Sequence, residues 1–586
     1  MTPEQLTNAR HTAAHLLASA VVTQFPGVQL GIGPTIEHGF YYDFLFPEDV
    51  AFSDSMLPKL EKQMKKLIAQ NLEMTGAVVS AAEARAAMAG QPLKLQLIDE
   101  LEAGGEELSL YTIGAFTDLC RGGHSQSSKE VPALGLKLDR VAGAYWKGDE
   151  KNPMLTRIYG FLFATAEELA AHLEMLEQAK LRDHRKIGRE QELFFIDETI
   201  GKGLPLWLPN GTIMRNEIER LAVETEEAYG YVRVSTPHMA KKELFEQSGH
   251  LPYYADSMYP GMEIDDGTYY LKAMNCPLHH VMYNHRPRSF RELPLRFAEY
   301  GMVYRNELSG TLAGLLRVRA LEQNDAHIYA TRDQIREEIR KVIELTQYYF
   351  TLFGLNDYWF RLSKWDPEKT EKYLQEPENW EFAEGVLREE LELSGVKFVE
   401  VADEAAFYGP KIDVQFRSVI GREETMSTIQ LDFIAKTRFN LHYTDSTGTA
   451  NNEVYVIHRA PLSTHERFMA FIIEHFAGSF PVWLSPVQVQ LISVGETHRD
   501  HVDKLVAELQ ASGIRAAADH SDQGVGKKIR TAVMKKVPYM LVIGDKEMES
   551  DDLMVRKRGE QDAVSIPKEQ FIAELKEKIA KREIGL

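Results

Sequence analysis

The chain has 586 residues, a formal net charge of −20 and only two cysteines. Its length suits about three or four domains, and 44% hydrophobic with 26% charged residues is the balance of a folded chain. Two cysteines exclude a disulfide framework and any four-thiolate metal site, while the acidic total argues against non-specific coating of nucleic acid and still allows a local basic surface for one RNA.

No run of about 18 apolar residues occurs, so no membrane-spanning helix is expected. The N-terminus carries Glu4 and two histidines where a signal peptide would carry Lys or Arg before an apolar core, which points to a cytosolic chain. Residues 8 to 24 read as a helix capped by Thr7, with His11, Ala14, His15 and Leu16 on one stripe. The glycine- and aromatic-rich GIGPTIEHGFYYDF predicts a strand and turn beside a site. Residues 165 to 194 read as one long polar helix whose basic end, DHRKIGR, suits a solvated linker or an RNA-facing hinge. From 191 to 485, strand-like runs (YYLKAMN, LRFAEYGMVYR, VYVIHRA) are bounded by turn residues, with few βαβ alternations. No GxxxxGK[ST] or GxGxxG opens a helix after a strand, so a P-loop or Rossmann nucleotide site is not supported. Residues 486 to 586 alternate strand and helix as an α/β module. It holds 17 Lys/Arg against 17 Asp/Glu, so the negative charge lies in the rest of the chain. The expectation is a multidomain α+β chain divided at 1–165, 166–190, 191–485 and 486–586.

Three constellations could carry chemistry. The first is His11-x-x-x-His15 with the later Cys120-x-x-x-His124. Helical i and i+4 positions share a face, and CRGGH can fold Cys120 back toward His124. Three imidazoles and a thiol suit a tetrahedral zinc site, a metal-free pocket that positions water, or simply polar positions on a surface helix. Asp118 and Tyr42 add to a polar cluster. The second is Arg305 at the end of one strand and Arg317 expected on the next, with Arg467 opening an apolar helix. Guanidinium forks of this kind suit carboxylate and phosphate oxygens, and surface ion pairing is the alternative. The third is dispersed: Cys276, His327 and His458, one thiol and two imidazoles, each in or beside a strand-like run. Such a set leaves a fourth position open, as catalytic zinc does, although each residue taken singly suits an ordinary core.

These residues stand in ordered blocks: HTAAHLL, GFYYDF, DLCRGGH, DHRKIG, MNCPLHH, YRNELSG, QNDAHIY, FYGPKID, TIQLDF, HERF and VPYMLVIGDKE. Together they resemble the class II aminoacyl-tRNA synthetases over essentially the whole chain, and within them the bacterial threonyl-tRNA synthetase family. The resemblance implies an antiparallel-sheet catalytic domain, an N-terminal α+β editing domain and a C-terminal α/β anticodon-binding domain, in a cytoplasmic homodimer whose motif 1 ends at Pro237. It implies a ligase that joins L-threonine to tRNA(Thr) through threonyl-adenylate. Arg305 would hold the threonine carboxylate and α-phosphate, Glu307 the adenine amino group, and Arg317 and Arg467 the phosphates of ATP with Mg2+. Cys276, His327 and His458 would hold one zinc per subunit, with Gln323, Asp325, Tyr408 and Gln430 lining the threonine pocket. A hydroxyl-demanding site rejects valine strongly, whereas serine lacks only a methyl, worth ~1–3 kcal/mol, so a second hydrolytic site is expected. His11, His15, Tyr42, Lys94, Asp118, Cys120 and His124 would form that editing pocket, metal-free and acting on seryl-tRNA(Thr). Glu547 and Arg556 match anticodon-reading positions, where plain surface charge is the alternative.

The chain departs from the family pattern at Ala320 and Leu321, where glycine and an adenine-stacking aromatic are usual. It departs again at Ser463 in place of glycine, at Thr425 in place of glutamine, and at Asp522 in place of asparagine. The family's small ubiquitin-like N-terminal domain is also expected to be missing, because the editing helix starts at once. The softened motifs leave two other expectations standing: a paralogue acting mainly as a deacylase on mis-charged tRNA, and a tRNA- or mRNA-leader-binding regulator. The retained Arg305, Arg467 and metal trio weigh against the regulator, since a pure binder needs none of them.

Overall fold

A computed structural model of the chain describes residues 1–418, 421 and 423–586. Two compact units divide it, Met1–Glu177 and Gln178–Leu586. Among the described residues no helix is long and apolar enough to cross a membrane.

In the first unit, helix α1 (Pro3–Gln24) begins five residues before the expected start. Thr2, not Thr7, caps it. The Thr2 hydroxyl accepts from the Gln5 amide at 3.2 Å, while the Gln5 side chain accepts from the Thr2 amide at 2.8 Å. This capping box satisfies two helix-end donors reciprocally, and Pro3 at the first helical position has no donor to satisfy. Thr7 sits inside the helix and its hydroxyl donates to the Pro3 carbonyl at 3.0 Å. The face carrying Ala9, Ala13, Leu16, Leu17, Ala20 and Val21 is buried; each of its larger aliphatics contributes about 1.5–3 kcal/mol. It packs near β1 (Gly39–Leu45), the second strand of a sheet that continues through Met154–Leu162 and Leu136–Tyr145. Thr35–Ile36 turns back on Gly39–Phe40, the strand and turn read from GIGPTIEHGFYYDF. Helix α2 (Pro92–Ala103) lies in the chain between the first and second strands of a three-stranded sheet made of Met74–Val78, β2 (Ser109–Ile113) and β3 (Phe116–Leu119).

The single helix expected over 165–194 is two helices, α3 (Ala166–Arg182) and α4 (His184–Glu190). Asp183 leaves helical geometry at ψ 117° and its carboxylate accepts from the Arg185 amide at 2.8 Å, restarting the helix as an N-cap. Charge periodicity across 165–194 is continuous, so the break lies in one residue's competing side-chain bond.

The second unit is built on helix α5 (Pro209–Ala228), β4 (Val232–Arg233), helix α6 (Cys276–Tyr283), β5 (Leu295–Tyr304), β6 (Ala320–Thr331), β7 (Tyr358–Ser363), β8 (Phe398–Val401), β9 (Lys411–Arg417), β10 (Glu423–Asp432), β11 (Val454–Arg459) and helix α7 (His465–His475). The strands form one sheet in the order β4-β5-β6-β11-β10-β9-β7-β8, antiparallel except at its two ends. Alternation along β6 sends Ala326 and Ile328 into the main core with Ile457, Ile429 and Phe468, and sends Asp325 and His327 to the other face. The same alternation on β11 separates His458 from Arg459. Register then puts Phe297, His327, His458, Gln430 and Lys411 in one row across five strands. C-terminal to this sheet, β12 (Val489–Ser493), β13 (Ala516–Asp519), β14 (Tyr539–Ile543), β15 (Asp552–Lys557) and β16 (Val564–Pro567) form a mixed five-stranded sheet in the order β13-β12-β14-β15-β16.

Candidate functional site

Four residues of that row, His327, His458, Gln430 and Lys411, line a cleft of about 580 Å3. Cys276, at the start of α6, meets His327 and His458 there, and the ligand atoms of the three lie within 4.8 Å of one another. All three are buried. His458 Nε2 is 3.1 Å from Asp432 Oδ2, so its Nδ1 is the free nitrogen. His327 Nδ1 is 2.7 Å from His279 Nδ1, which leaves Nε2 free. Burial pushes the Cys276 thiol well up and the His327 imidazole well down, so without a cation those two groups are uncharged. Two imidazoles that each turn a free ring nitrogen inward, one sulfur and a polar second layer fit a divalent, thiophilic metal with one position open.

Beside the trio, Asp325 Oδ2 accepts from Asn275 Nδ2 at 2.9 Å, and burial lifts the Asp325 carboxyl above its ordinary range. The Tyr408 hydroxyl donates to Gln430 Oε1, and Gln323 lines the same cleft. Across it stand three guanidiniums. Arg305 follows directly on β5, and its buried Nε has no hydrogen-bond partner among the described residues. Arg467, in the first turn of α7, donates from Nη1 to the Thr425 carbonyl at 3.2 Å and from Nε to the Leu316 carbonyl at 3.3 Å. Burial, then the charge of Arg305, lowers the Arg467 pKa. Arg317 does not lie on a second strand as expected; it sits in the loop before β6, bridged to Ala313, and reaches Glu307 Oε2 at 2.8 Å. Neighbouring cations with free donor capacity make an anion site.

Lys411, within FYGPKID, also lines the cleft, with Nζ 2.8 Å from Asp413. His279 and Asp432 join it as residues whose part in the site the sequence pattern does not reveal. Their signal was present only as polar residues inside apolar runs. Of the departures, Leu321 packs with Val303 and Val318 at the cleft wall. Ser463 adopts φ +55°, the left-handed region that favours glycine. Thr425 accepts from Gln415 through its hydroxyl at 2.9 Å.

The first unit holds a separate cavity of about 590 Å3 lined by His11, His15, Lys94, Asp118 and Cys120. Cys120 Sγ is 3.3 Å from His11 Nε2 and 3.3 Å from His124 Nε2. The turn between Cys120 and His124 needs φ +94° at Gly122 and +82° at Gly123, conformations open to glycine. His11 Nδ1 donates to the Gly123 carbonyl at 3.3 Å. Asp118 anchors the wall: Tyr42 OH donates to it at 2.5 Å and Lys94 Nζ lies 2.6 Å away. Burial pushes the Asp118 carboxyl up, but the Lys94 charge and these bonds leave it net below its ordinary range. Burial takes His15 down to about 4 and raises the Cys120 thiol. At neutral pH the pocket thus presents neutral imidazoles and a thiol beside a closed Lys–Asp pair, an arrangement that can orient and deprotonate water.

In the C-terminal module, Glu547, on the short helix Asp545–Met548, accepts from the Gly544 amide at 2.9 Å, and Arg556 Nε, on β15, donates to the Glu560 carbonyl at 3.0 Å. Asp522 is exposed and pairs with Arg499 at 3.2 Å.

Comparison with known proteins agrees with this division of labour. Residues 261–476 match the tRNA synthetase class II core domain (G, H, P, S and T), 488–578 an anticodon binding domain, and 108–159 the threonyl and alanyl tRNA synthetase second additional domain. A threonine--tRNA ligase of Exiguobacterium sp. is 46% identical over 98% of this chain and 88% of its own length. Threonine--tRNA ligase 1 of Bacillus subtilis is 47% identical over 97% and 88%. Among solved structures, the RNA binding domain of threonyl-tRNA synthetase from Cryptosporidium parvum is 33% identical with TM-score 0.64, covering 69% of this chain and 98% of that one. A cleft joining an arginine-lined anion site to a Cys–His–His trio, with a second hydrolytic-type pocket and these matches along nearly its whole length, means that the chain belongs to the threonine--tRNA ligase family of class II aminoacyl-tRNA synthetases.

Proposed function

We propose that the chain ligates L-threonine to tRNA(Thr) through threonyl-adenylate and hydrolyses seryl-tRNA(Thr) at its editing pocket. The observation that carries the reading is the single cleft in which Arg305, Arg317 and Arg467 face the Cys276–His327–His458 trio. Arg305 pairs with the threonine carboxylate and the α-phosphate, Arg317 and Arg467 with the remaining phosphates of ATP, which enters with Mg2+, and Glu307 accepts from the adenine amino group. The carboxylate attacks the α-phosphorus in line and pyrophosphate leaves. Positioning and charge neutralisation, not a covalent nucleophile, lower this barrier. Cys276, His327 and His458 would hold a zinc, which would supply Lewis-acid coordination to the amino and hydroxyl groups of threonine. Asp325 accepts from that hydroxyl, and Tyr408, Gln323 and Gln430 close the pocket around it. Valine leaves the Asp325 carboxylate unmatched, whereas serine differs by one methyl, about 10–200-fold, and needs the second site.

There, His11, His15, Tyr42, Lys94, Asp118, Cys120 and His124 hold and deprotonate a water without a metal. Residues 1–165 are read as the editing domain, 166–190 as the linker (two helices rather than one), 191–485 as the catalytic domain and 486–586 as the anticodon-binding domain, with Glu547 and Arg556 reading bases. Homodimerisation through motif 1 is supported by the exposed apolar side chains of Phe195, Ile196, Ile200 and Val232 next to it. A reducing cytoplasm suits two cysteines that both serve as thiols.

Threonine-dependent ATP–pyrophosphate exchange, run with threonine, serine and valine, tests the synthetic half. Exchange with threonine and its loss in Cys276→Ser, with zinc content falling alongside, is the expected outcome. No exchange in the wild type would leave only the deacylase. Cys120→Ala or His11→Ala should let seryl-tRNA(Thr) accumulate at unchanged exchange; if none accumulates, the editing assignment fails.

A further inference from the structure

His279 lies on α6 three residues after Cys276 and is completely buried. Its Nδ1 is 2.7 Å from His327 Nδ1 and its Nε2 is 3.1 Å from Glu299 Oε1. Glu299 stands on β5 opposite Asp325, on the sheet face that carries His327. It is itself pinned. The Thr236 amide donates to Oε2 at 3.0 Å and the Thr236 hydroxyl to Oε1 at 2.7 Å. The Lys272 ammonium is 3.8 Å away and 1% exposed, so a buried cation keeps Glu299 a carboxylate.

A carboxylate only accepts hydrogen bonds. A neutral His279 ring therefore carries its proton on Nε2, which leaves its Nδ1 as an acceptor. The 2.7 Å contact then requires His327 to donate from Nδ1. Only Nε2 of His327 retains a lone pair, and that is the nitrogen free to serve beside Cys276 and His458. One anionic group thus sets two tautomers in succession. His458 obtains the same result directly from Asp432, by the other ring nitrogen. We propose that Glu299 and His279 are positioning residues, a carboxylate–imidazole relay that fixes the tautomer and ring orientation of the metal ligand His327. The inference rests on the zinc reading above and adds two residues to it. Because Thr236 precedes Pro237 at the end of motif 1, the relay also fastens that segment to the metal site.

Zinc affinity of the full chain, measured by competition with a chromogenic chelator, tests the relay without reference to activity. In His279→Gln the amide takes the Nε2 position and His327 loses its acceptor; zinc binding should weaken about 10–100-fold. In His279→Asn the amide takes the Nδ1 position and can still accept from His327, so affinity should recover to within about threefold of the wild type. A packing role alone would move both variants together, so equal losses, or wild-type affinity in His279→Gln, would overturn the relay. Independently of folding in the variants, histidine 15N NMR of the zinc-bound wild type should report a protonated Nδ1 on His327; metal on Nδ1 instead refutes the assignment. Cys276→Ser separates the two levels. If it loses zinc while His279→Gln does not, only the relay is wrong; if the wild type binds none, the metal reading fails and the relay with it.

Discussion

Replacing Glu226 by alanine should be among the most damaging single changes in the second unit. Glu226, on α5, is 0% exposed. Its Oε1 lies 3.0 Å from Arg459 Nη1 and its Oε2 3.0 Å from Arg233 Nη1, and Oε1 also accepts from Asn324 Nδ2 at 2.9 Å. Arg459 is buried as well, its Nε and Nη2 have no acceptor among the described residues, and the Tyr231 ring lies 4.3 Å from its guanidinium carbon. Removal of the carboxylate leaves that guanidinium in the core without a counter-charge, a loss of about 3–5 kcal/mol. That is a large share of a domain's typical 5–15 kcal/mol. Urea unfolding followed by tryptophan fluorescence reports mainly on this unit, which holds five of the six tryptophans, Trp207, Trp359, Trp365, Trp380 and Trp483. The double variant Glu226→Ala/Arg459→Met removes both buried charges and should regain much of the loss, since Arg233 is a quarter exposed and can turn to water. A single-variant cost below about 1 kcal/mol, or a double variant no better than the single, would show that Glu226 does not compensate the Arg459 charge.

Stability of the first unit should fall on mild acidification. His15 is pushed down to about 4 by burial, against 6.5 when unfolded, so between those values the unfolded chain binds a proton that the native pocket refuses. The stabilisation is complete above pH 6.5 and is lost as pH falls toward 4, about 3 kcal/mol in all. Hydrogen exchange of peptides from Met1–Glu177 should follow that window, and His15→Gln should make the fall shallower by that share, leaving the slope of the same sign that His124, pushed down to about 2, and His11 supply. At Ser463, φ +55° strains any L side chain: Ser463→Gly should leave urea midpoint and exchange activity intact or raised, while the β-branched Ser463→Val should cost about 1–3 kcal/mol. Arg305→Lys keeps the charge but loses the fork, so pyrophosphate exchange should fall about 100–1,000-fold with zinc content and deacylation unchanged; exchange within threefold of wild type would remove Arg305 from the anion site.

What could be read from the residues was whatever depends on near neighbours. His11 and His15 share a helix face because they are four apart, and CRGGH closes because its glycines tolerate positive φ. The strand runs of the catalytic sheet and the α/β pattern of the C-terminal module are equally local. Local rules also misplaced things where a neighbour's side chain offered the backbone a competing bond: the helix began at Thr2 instead of Thr7, and Asp183 split the long helix.

The synthetic site belongs to tertiary structure. Nothing in the spacing of Cys276, His327 and His458 brings them together; the antiparallel register that sets His327 against His458, and His458 against Gln430, does so. The same register hides Arg459 one residue away on the opposite face, where α5 must provide Glu226. Sequence alone thus determined which chemical groups the chain carries and their local conformation. The pairing of distant strands decided which groups meet, because a shift of one residue in a two-residue repeat would turn every one of them to the other side of the sheet.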